Sequence, residues 1–379
     1  MPKIDFLYFN AGGGHRAAAT ALQSVVASQN RPWRVRLVNL NDILLPTDIL
    51  KKTLGLGLED IYNLLLRKGW TLGSKQLVPV MHLLIRAFHR RQIELISEFW
   101  RRDTPDLVVS LIPNFNRAVF EALRRVTPQS PYVTILTDIA DYPPHFWIER
   151  QPQYLVCGSA KAVEQARAMG HPDHAIFRTS GMILRPTFYN VPPIDVPAGR
   201  AAAGLQADLP TGLVLFGGHG SPQMLDIARR LDGCGRRLQL IMLCGHNEKL
   251  AARLRELKLS IPLHVESFTS EVPLFMQMAD FFIGKPGPGS ISEALAMGLP
   301  VVVESNAWTL PQERYNAEWI AENKLGIQLK SFRQIAAAVT RLLDGEMAEF
   351  RQKAAALHNQ AVFEIPPILE TVLDRGPLG

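Results

Sequence analysis

The sequence predicts an α/β protein made of two Rossmann-like units. Three observations lead there: the chain length, an alternation of strand-like with helical patterns that runs twice, and a Pro-rich break near the middle. At 379 residues the chain is longer than the roughly 250–300 residues at which single cores stop growing. In the first half, strand-like runs at Ile4 to Phe9, Val35 to Leu40, Leu107 to Ile112, Tyr132 to Leu136 and Tyr154 to Cys157 alternate with helical patterns, which is the mark of a parallel sheet. Arg185-Pro186 through Pro192-Pro193 to Pro197 then breaks the pattern, as an interdomain linker does. The alternation restarts at Leu213 to Phe216 and continues through Leu238 to Leu243, Leu263 to Val265, Asp280 to Ile283 and Pro300 to Val303. The expected division is 1–185 for the first unit, 186–209 for the linker and 210–345 for the second unit, with 346–379 as a helical segment returning toward the first.

Apolar residues make up 47% of the chain and charged residues 20%, a composition that supports folded cores. No run approaches the roughly 20 apolar residues of a membrane-spanning helix. The N-terminus enters the strand Ile4 to Phe9 without a signal-peptide pattern, so the expected place is the cytoplasm. Cys157, Cys234 and Cys244 lack paired spacing, and neither a disulfide framework nor a metal site is expected.

Charge is uneven. Residues 1–190 carry 23 Lys/Arg against 15 Asp/Glu, and the remainder 18 against 20. The basic half is expected to meet an anionic partner. Nucleic acid is not favoured, because recognition-helix, zinc-spacing and RNA-binding strand signatures are missing; an anionic membrane surface fits better. Leu77 to Arg102 reads as one or two helices with Met81, Leu84, Ile85, Phe88, Leu95 and Phe99 in one arc and His82, Arg86, His89 and Arg90 in another. Such a basic amphipathic helix either lies on an anionic bilayer or packs on its own sheet with a solvated basic face. Arg86, Phe88, Arg90 and Arg91 are the candidate membrane contacts.

Both halves open alike, with a strand, a Gly-rich turn and a helix: Gly12-Gly13-Gly14-His15 in the first, Gly217-Gly218-His219-Gly220 in the second. Such turns bring backbone N–H groups to an anion at the positive end of a helix, or only permit a tight turn. Neither is a Walker loop or a full dinucleotide fingerprint. His15 opens the helix Arg16 to Ser28, where the dipole favours neutral imidazole. It is a candidate base for an attacking hydroxyl, or a helix-cap histidine. Asp138, at the end of the strand Tyr132 to Leu136, is a second candidate, or an Asx turn.

The densest constellation follows the strand Asp280 to Ile283. A loop Gly284-Lys285-Pro286-Gly287-Pro288-Gly289 leads into the helix Ser290 to Met297, and Gln312-Glu313-Arg314-Tyr315-Asn316 starts another beyond the next strand. Two loops at strand C-termini thus carry polar groups toward one crevice, where open α/β sheets bind ligands. Glu293 is placed to hold a ribose, although Ser290 to Glu293 also matches a capping box. For Gln312 and Glu313 the bland alternative is a solvated helix start.

These residues resemble the monogalactosyldiacylglycerol synthases and processive diacylglycerol glucosyltransferases, with the peptidoglycan lipid-intermediate GlcNAc transferases as more distant relatives. The likeness rests on Gly12 to His15, Tyr62-Asn63, Thr137-Asp138, Gly181 with Arg185-Pro186, Cys244-Gly245 with Asn247, Phe268, Pro286 to Glu293, and Gln312-Glu313 with Asn316. Departures are Pro311 before Gln312-Glu313, His246 in place of an Arg before Asn247, and Pro143-Pro144-His145-Phe146 in place of His-Pro-Thr-Trp. The resemblance implies a GT-B fold, two Rossmann-like domains facing each other across a cleft, and inverting transfer of a hexose or N-acetylhexosamine from a UDP-sugar co-substrate to a lipid acceptor such as diacylglycerol, with no tightly bound cofactor, at the cytoplasmic membrane face. It places Phe268 beside uracil, Glu293 on ribose, and Gln312 and Glu313 on the sugar. Gly14, Gly218, Gly220, Gly287, Gly289 and Ser290 would receive the diphosphate, with Asn247 and Asn316 completing the donor site. His15 becomes the leading base and Asp138 the second. Two other readings stay open: a UDP-sugar epimerase of the same fold, and a non-catalytic nucleotide-sugar-binding protein.

Overall fold

The computed structural model describes residues 1–10, 13–45, 86–307 and 309–379. Gly12, Tyr62-Asn63 and the 77–85 part of the basic helix lie outside the described residues. The chain divides after Pro186 into two compact units, and Asn359–Gly379 belongs with the first.

The first unit contains β1 (Lys3–Tyr8), α1 (Gly14–Ser28), β2 (Arg34–Asn39), α2 (Leu40–Leu44), α3 (His89–Arg102), β3 (Leu107–Ser110), α4 (Asn116–Val126), β4 (Tyr132–Ile135), β5 (Tyr154–Cys157), α5 (Ala160–Ala168) and β6 (Ile176–Arg178). Its parallel sheet has the order β2-β1-β3-β4-β5-β6. Strands β3, β4 and β5 are buried along their whole length, because helices cover both faces of a parallel sheet. That burial is why they read as unbroken apolar runs.

In the second unit, α6 (Val196–Ala202) precedes β7 (Thr211–Leu215), α7 (Gln223–Asp232), β8 (Gln239–Leu243), α8 (Glu248–Arg255) and β9 (Leu263–Glu266). Then come α9 (Val272–Gln277), β10 (Phe281–Gly284), α10 (Pro288–Ala296), β11 (Val301–Glu304), α11 (Pro311–Glu322), β12 (Gly326–Leu329), α12 (Ile335–Arg341) and α13 (Met347–Ala355). The sheet order β12-β11-β10-β7-β8-β9 is that of the dinucleotide-binding Rossmann sheet. Two strands that the sequence pattern does not single out, β6 and β12, are both edge strands. An edge strand needs less apolar sequence: β6 is half-buried to exposed, and Gln328 of β12 is exposed.

The Pro-rich stretch is anchored at its far end. Asp195 caps α6 by accepting from the Ala198 N–H, and the buried Arg200 donates to the Met278 carbonyl at 2.9 Å and to Asp280 Oδ2 at 2.8 Å. The C-terminal segment divides: α13 stays with the second unit, whereas α14 (Ala361–Arg375) packs against α1 of the first. Asn359 Nδ2 donates to the Met182 carbonyl, and Glu364 accepts from the Ser180 N–H.

α3 supplies Ile93, Ile96 and Trp100 to the core formed with Leu7, Val38 and Val108, and Phe99 packs against it. Leu95 is buried as well. The apolar arc from His89 onward is therefore used by the protein's own core, as in the second of the two readings of this helix. Asp5, fully buried in β1, fastens the helix to the sheet. Its carboxylate accepts Arg36 Nε at 2.8 Å, a second Arg36 nitrogen at 2.6 Å and Trp100 Nε1 at 2.9 Å. Removing the Asp5 carboxylate leaves the buried Trp100 indole N–H without its acceptor, at a cost of about 1–3 kcal/mol, while the partly exposed Arg36 keeps Asp103. Asp5→Ala is thus expected to lower the unfolding free energy extrapolated from urea melts by that much, and a loss below about 1 kcal/mol would show that the pair contributes only as a surface bridge does.

Candidate active site

In an open α/β sheet, ligands bind beyond the strand C-termini where the order of strands reverses, because the two flanking loops diverge there and leave a crevice. The reversal falls between β1 and β3 in the first unit and between β7 and β10 in the second. Both Gly-rich turns lie at these points.

Gly13 takes the left-handed φ of 79° and starts α1, with no side chain capping the helix; a residue with Cβ is strained in that conformation. His15 then stands in the first turn. Its Nδ1 is 3.1 Å from Thr137 Oγ1 at the end of β4. Its ring lies 5.8 Å from that of Trp147, tilted by 51°. Burial lowers the imidazole pKa to about 4, opposed by a hydrogen bond to the Leu111 backbone after β3. Desolvation, which disfavours the charged ring, is the first cause of this lowering.

Trp147 has no exposed surface and is held at three points. Its indole N–H donates to Asp138 Oδ2 at 2.9 Å, its backbone N–H to Asp141 Oδ1 at 2.7 Å, and its carbonyl accepts Asn116 Nδ2 at 3.0 Å. Asn116 Oδ1 in turn accepts Ser110 Oγ at 2.6 Å and the Tyr132 hydroxyl at 2.8 Å. Asp138 is buried and directed at Trp147, so its bond supports the aromatic wall beside His15. Asp141 is buried too, and burial raises its pKa against the opposing pull of the Trp147 and His145 N–H groups. Sequence patterns single out the loop residues but not Asn116 and Ser110, whose role exists only because β3, β4 and α4 converge.

At the second reversal, the Gly217–His219 turn sits against the loop after β8. Gly245 has φ 58°, and a Cβ there would fall 2.3 Å from the Gly218 carbonyl oxygen. The His246 N–H donates to that carbonyl at 2.9 Å, and Asn247 Nδ2 to the His219 carbonyl at 3.1 Å. Asn247 Oδ1 also accepts the Leu250 N–H as the cap of α8. Phe268 is 61% exposed and stacks on His246 with centroids 4.1 Å apart and planes 12° off parallel. An aromatic face turned to solvent and backed by a second ring is a ready stacking platform.

After β10, Lys285 Nζ meets Glu313 Oε1 at 2.8 Å, with Gly287 against the pair and Gly217 close to the lysine stem. Glu313 is buried, so it does not head a solvated helix start. The buried Asn316 donates to the Pro286 carbonyl at 2.8 Å and ties α11 to this loop. α10 begins at Pro288, with Gly287 as its cap residue and no side chain capping it. Ser290 therefore lies inside the helix, and the capping-box reading of Ser290 to Glu293 is corrected: the Pro at the first helical position starts the helix two residues early. Gly289 is exposed; Ser290, Glu293 and Gln312 are half-buried. Gly218 is exposed and Gly220 half-buried. Lys285 is the residue that motif reading passed over, a cation beside an uncapped helix N-terminus.

Arg86, Arg90 and Arg91 are exposed and Phe88 is half-buried; Arg91 pairs with Glu94 at 2.9 Å. Among the described residues, no helix is long and apolar enough to cross a membrane, and no group of three or more His, Cys, Asp or Glu is placed to hold a metal ion.

The family described as the glycosyltransferase family 28 C-terminal domain matches residues 213–364. The chain is 27% identical to a probable chloroplastic monogalactosyldiacylglycerol synthase 2 of Oryza sativa subsp. japonica, over 96% of this chain and 79% of that protein. Acinetobacter baumannii MurG superposes with a TM-score of 0.60 at 14% identity, covering 98% of this chain and 99% of that one. Anabaena HepE in complex with UDP-glucose does so with a TM-score of 0.55 at 16% identity, covering 98% and 100%. With two six-stranded parallel sheets, this likeness gives the fold as GT-B. Residues 213–364 thus match the glycosyltransferase family 28 C-terminal domain, in a chain of GT-B fold that is similar to monogalactosyldiacylglycerol synthases over nearly its whole length.

Proposed function

We propose that the protein is an inverting glycosyltransferase that moves a hexose or N-acetylhexosamine from a UDP-sugar to the hydroxyl of a membrane lipid such as diacylglycerol. The observation that carries the donor side is a run of neighbouring residues at the β7/β10 reversal. Phe268 stacks on His246, His246 bonds to Gly218, Gly217 approaches Lys285, and Lys285 pairs with Glu313. A base on the aromatic platform, a diphosphate at the N-terminus of α10 and a sugar by Gln312 and Glu313 would follow that path in order. Glu293, one turn into α10, reaches the ribose. The UDP-glucose of HepE and the lipid product in the name of the rice relative support the donor and acceptor classes.

In this reading His15 takes the acceptor proton as its oxygen attacks the anomeric carbon. The bond from that carbon to the diphosphate breaks, and UDP leaves with the electron pair. A single displacement inverts the anomeric centre. Lys285 and the N–H groups of Gly289 and Ser290 meet the charge that develops on the leaving oxygens.

Glu293→Ala is expected to weaken UDP binding at least tenfold by calorimetry, about 1.4 kcal/mol; unchanged affinity would remove Glu293 from the donor site. His15→Ala should bind UDP as the native protein does while losing about 10²–10⁴-fold in turnover.

The low imidazole pKa also fixes the form of the pH profile. A base with a pKa of about 4 stays in its neutral, proton-accepting form as pH falls through 6.5, so kcat/KM should hold there and drop only toward its own pKa. An acid limb centred near 6.5 would contradict this.

Membrane contact through Arg86, Phe88, Arg90 and Arg91 is part of the same proposal. Each arginine near an anionic surface contributes about 1 kcal/mol. Vesicles rich in phosphatidylglycerol should co-sediment the protein at low salt, and replacing the three arginines with Ala should abolish most of that binding. Equal sedimentation of native and variant protein would place the contact elsewhere.

A further inference from the structure

We propose that Thr137 is the positioning residue of His15: its hydroxyl accepts the imidazole Nδ1–H and so presents Nε2 to the acceptor hydroxyl. The inference rests on the reading of His15 as the base. An imidazole that is to take a proton needs one nitrogen free toward the substrate and the other held by an oxygen, since that second bond selects both tautomer and ring orientation. A carboxylate usually does this. Here the neighbouring carboxylate, Asp138, gives Oδ2 to the Trp147 indole, and Asp141 is occupied by the N–H groups of His145 and Trp147. Thr137 Oγ1, 3.1 Å from Nδ1, stands where the carboxylate would be.

The arrangement is braced on two sides, beside the hydrogen bond that the ring makes with the Leu111 backbone. Thr137 stands two residues past β4, behind the buried Leu136, whose N–H still bonds the Val156 carbonyl of β5 and so ties the loop to the sheet. Trp147, pinned by Asp138, Asp141 and Asn116, limits how the ring can turn. A hydroxyl orients the ring without adding a charge that would draw a second proton to it. That agrees with the depressed imidazole pKa, for which burial is the first cause.

Three variants test this: Thr137→Val, which removes the hydroxyl at nearly constant shape, Thr137→Ser, which restores it, and Thr137→Asp, which puts a carboxylate in its place. Valine is expected to lower kcat about tenfold to a hundredfold, the cost of a misplaced reacting group, with donor KM and calorimetric UDP affinity unchanged. Serine should recover most of kcat. Aspartate should move the acid limb of the kcat/KM profile upward by at least one pH unit.

Long-range proton–nitrogen NMR of His15 gives a readout that needs no turnover. The native protein should show the Nδ1–H tautomer, and the valine variant a mixture. Native kcat in the valine variant, an unchanged tautomer, or a loss of UDP affinity that serine does not restore would each overturn the assignment to Thr137. Full turnover by His15→Ala would instead remove the base reading, and the tautomer measurement would still report whether Thr137 sets the ring.

Discussion

The reversal of strand order is the constraint on which both candidate sites depend. Parallel sheets need crossover helices, and where successive crossovers go to opposite sides the loops at the strand ends part. Between β1 and β3 this opening receives His15, and between β7 and β10 it receives the Gly217 turn and the Lys285 loop. Each sheet offers one such opening at its strand C-termini, and the two Gly-rich turns follow β1 and β7, which flank them. The local chemistry is placed by topology before any side chain is chosen.

Within the first unit, desolvation does most to define the chemistry. His15 sits beside a tryptophan that is itself held by two buried carboxylates and a buried amide. Such a network is expensive unless every member is satisfied, and the payoff is a ring held in one orientation and kept neutral. Asp138, a candidate base by its place near a strand C-terminus, also gives one carboxylate oxygen to Trp147 and so braces the wall.

The second unit manages charge differently. A helix N-terminus without a side-chain cap attracts anions, and Lys285 adds a full positive charge beside it. Glu313 moderates that charge at 2.8 Å, while Asn316 and Gly245 lock the loops that carry the groups. The result is a surface of fixed donors backed by rigid elements, which suits recognition of a phosphate-bearing ligand without rearrangement.

The sequence by itself determined the alternating architecture, ten of the twelve strands among the described residues, the position of the break and the two loops worth attention. These depend on burial on both strand faces and on glycine and proline at turns, properties that local composition carries. It left open whether Glu293 belongs to a capping box, what Asp138 bonds, and whether the arc of Leu95 and Phe99 faces lipid. Only the tertiary structure decided that α10 starts at Pro288, that Asp138 bonds Trp147, and that α3 turns its apolar side to the core. It also revealed Lys285, Asn116 and Thr137 as partners of distant residues. Their roles arise from contacts between segments far apart in the chain, and neither periodicity nor spacing records which strand end will lie beside which.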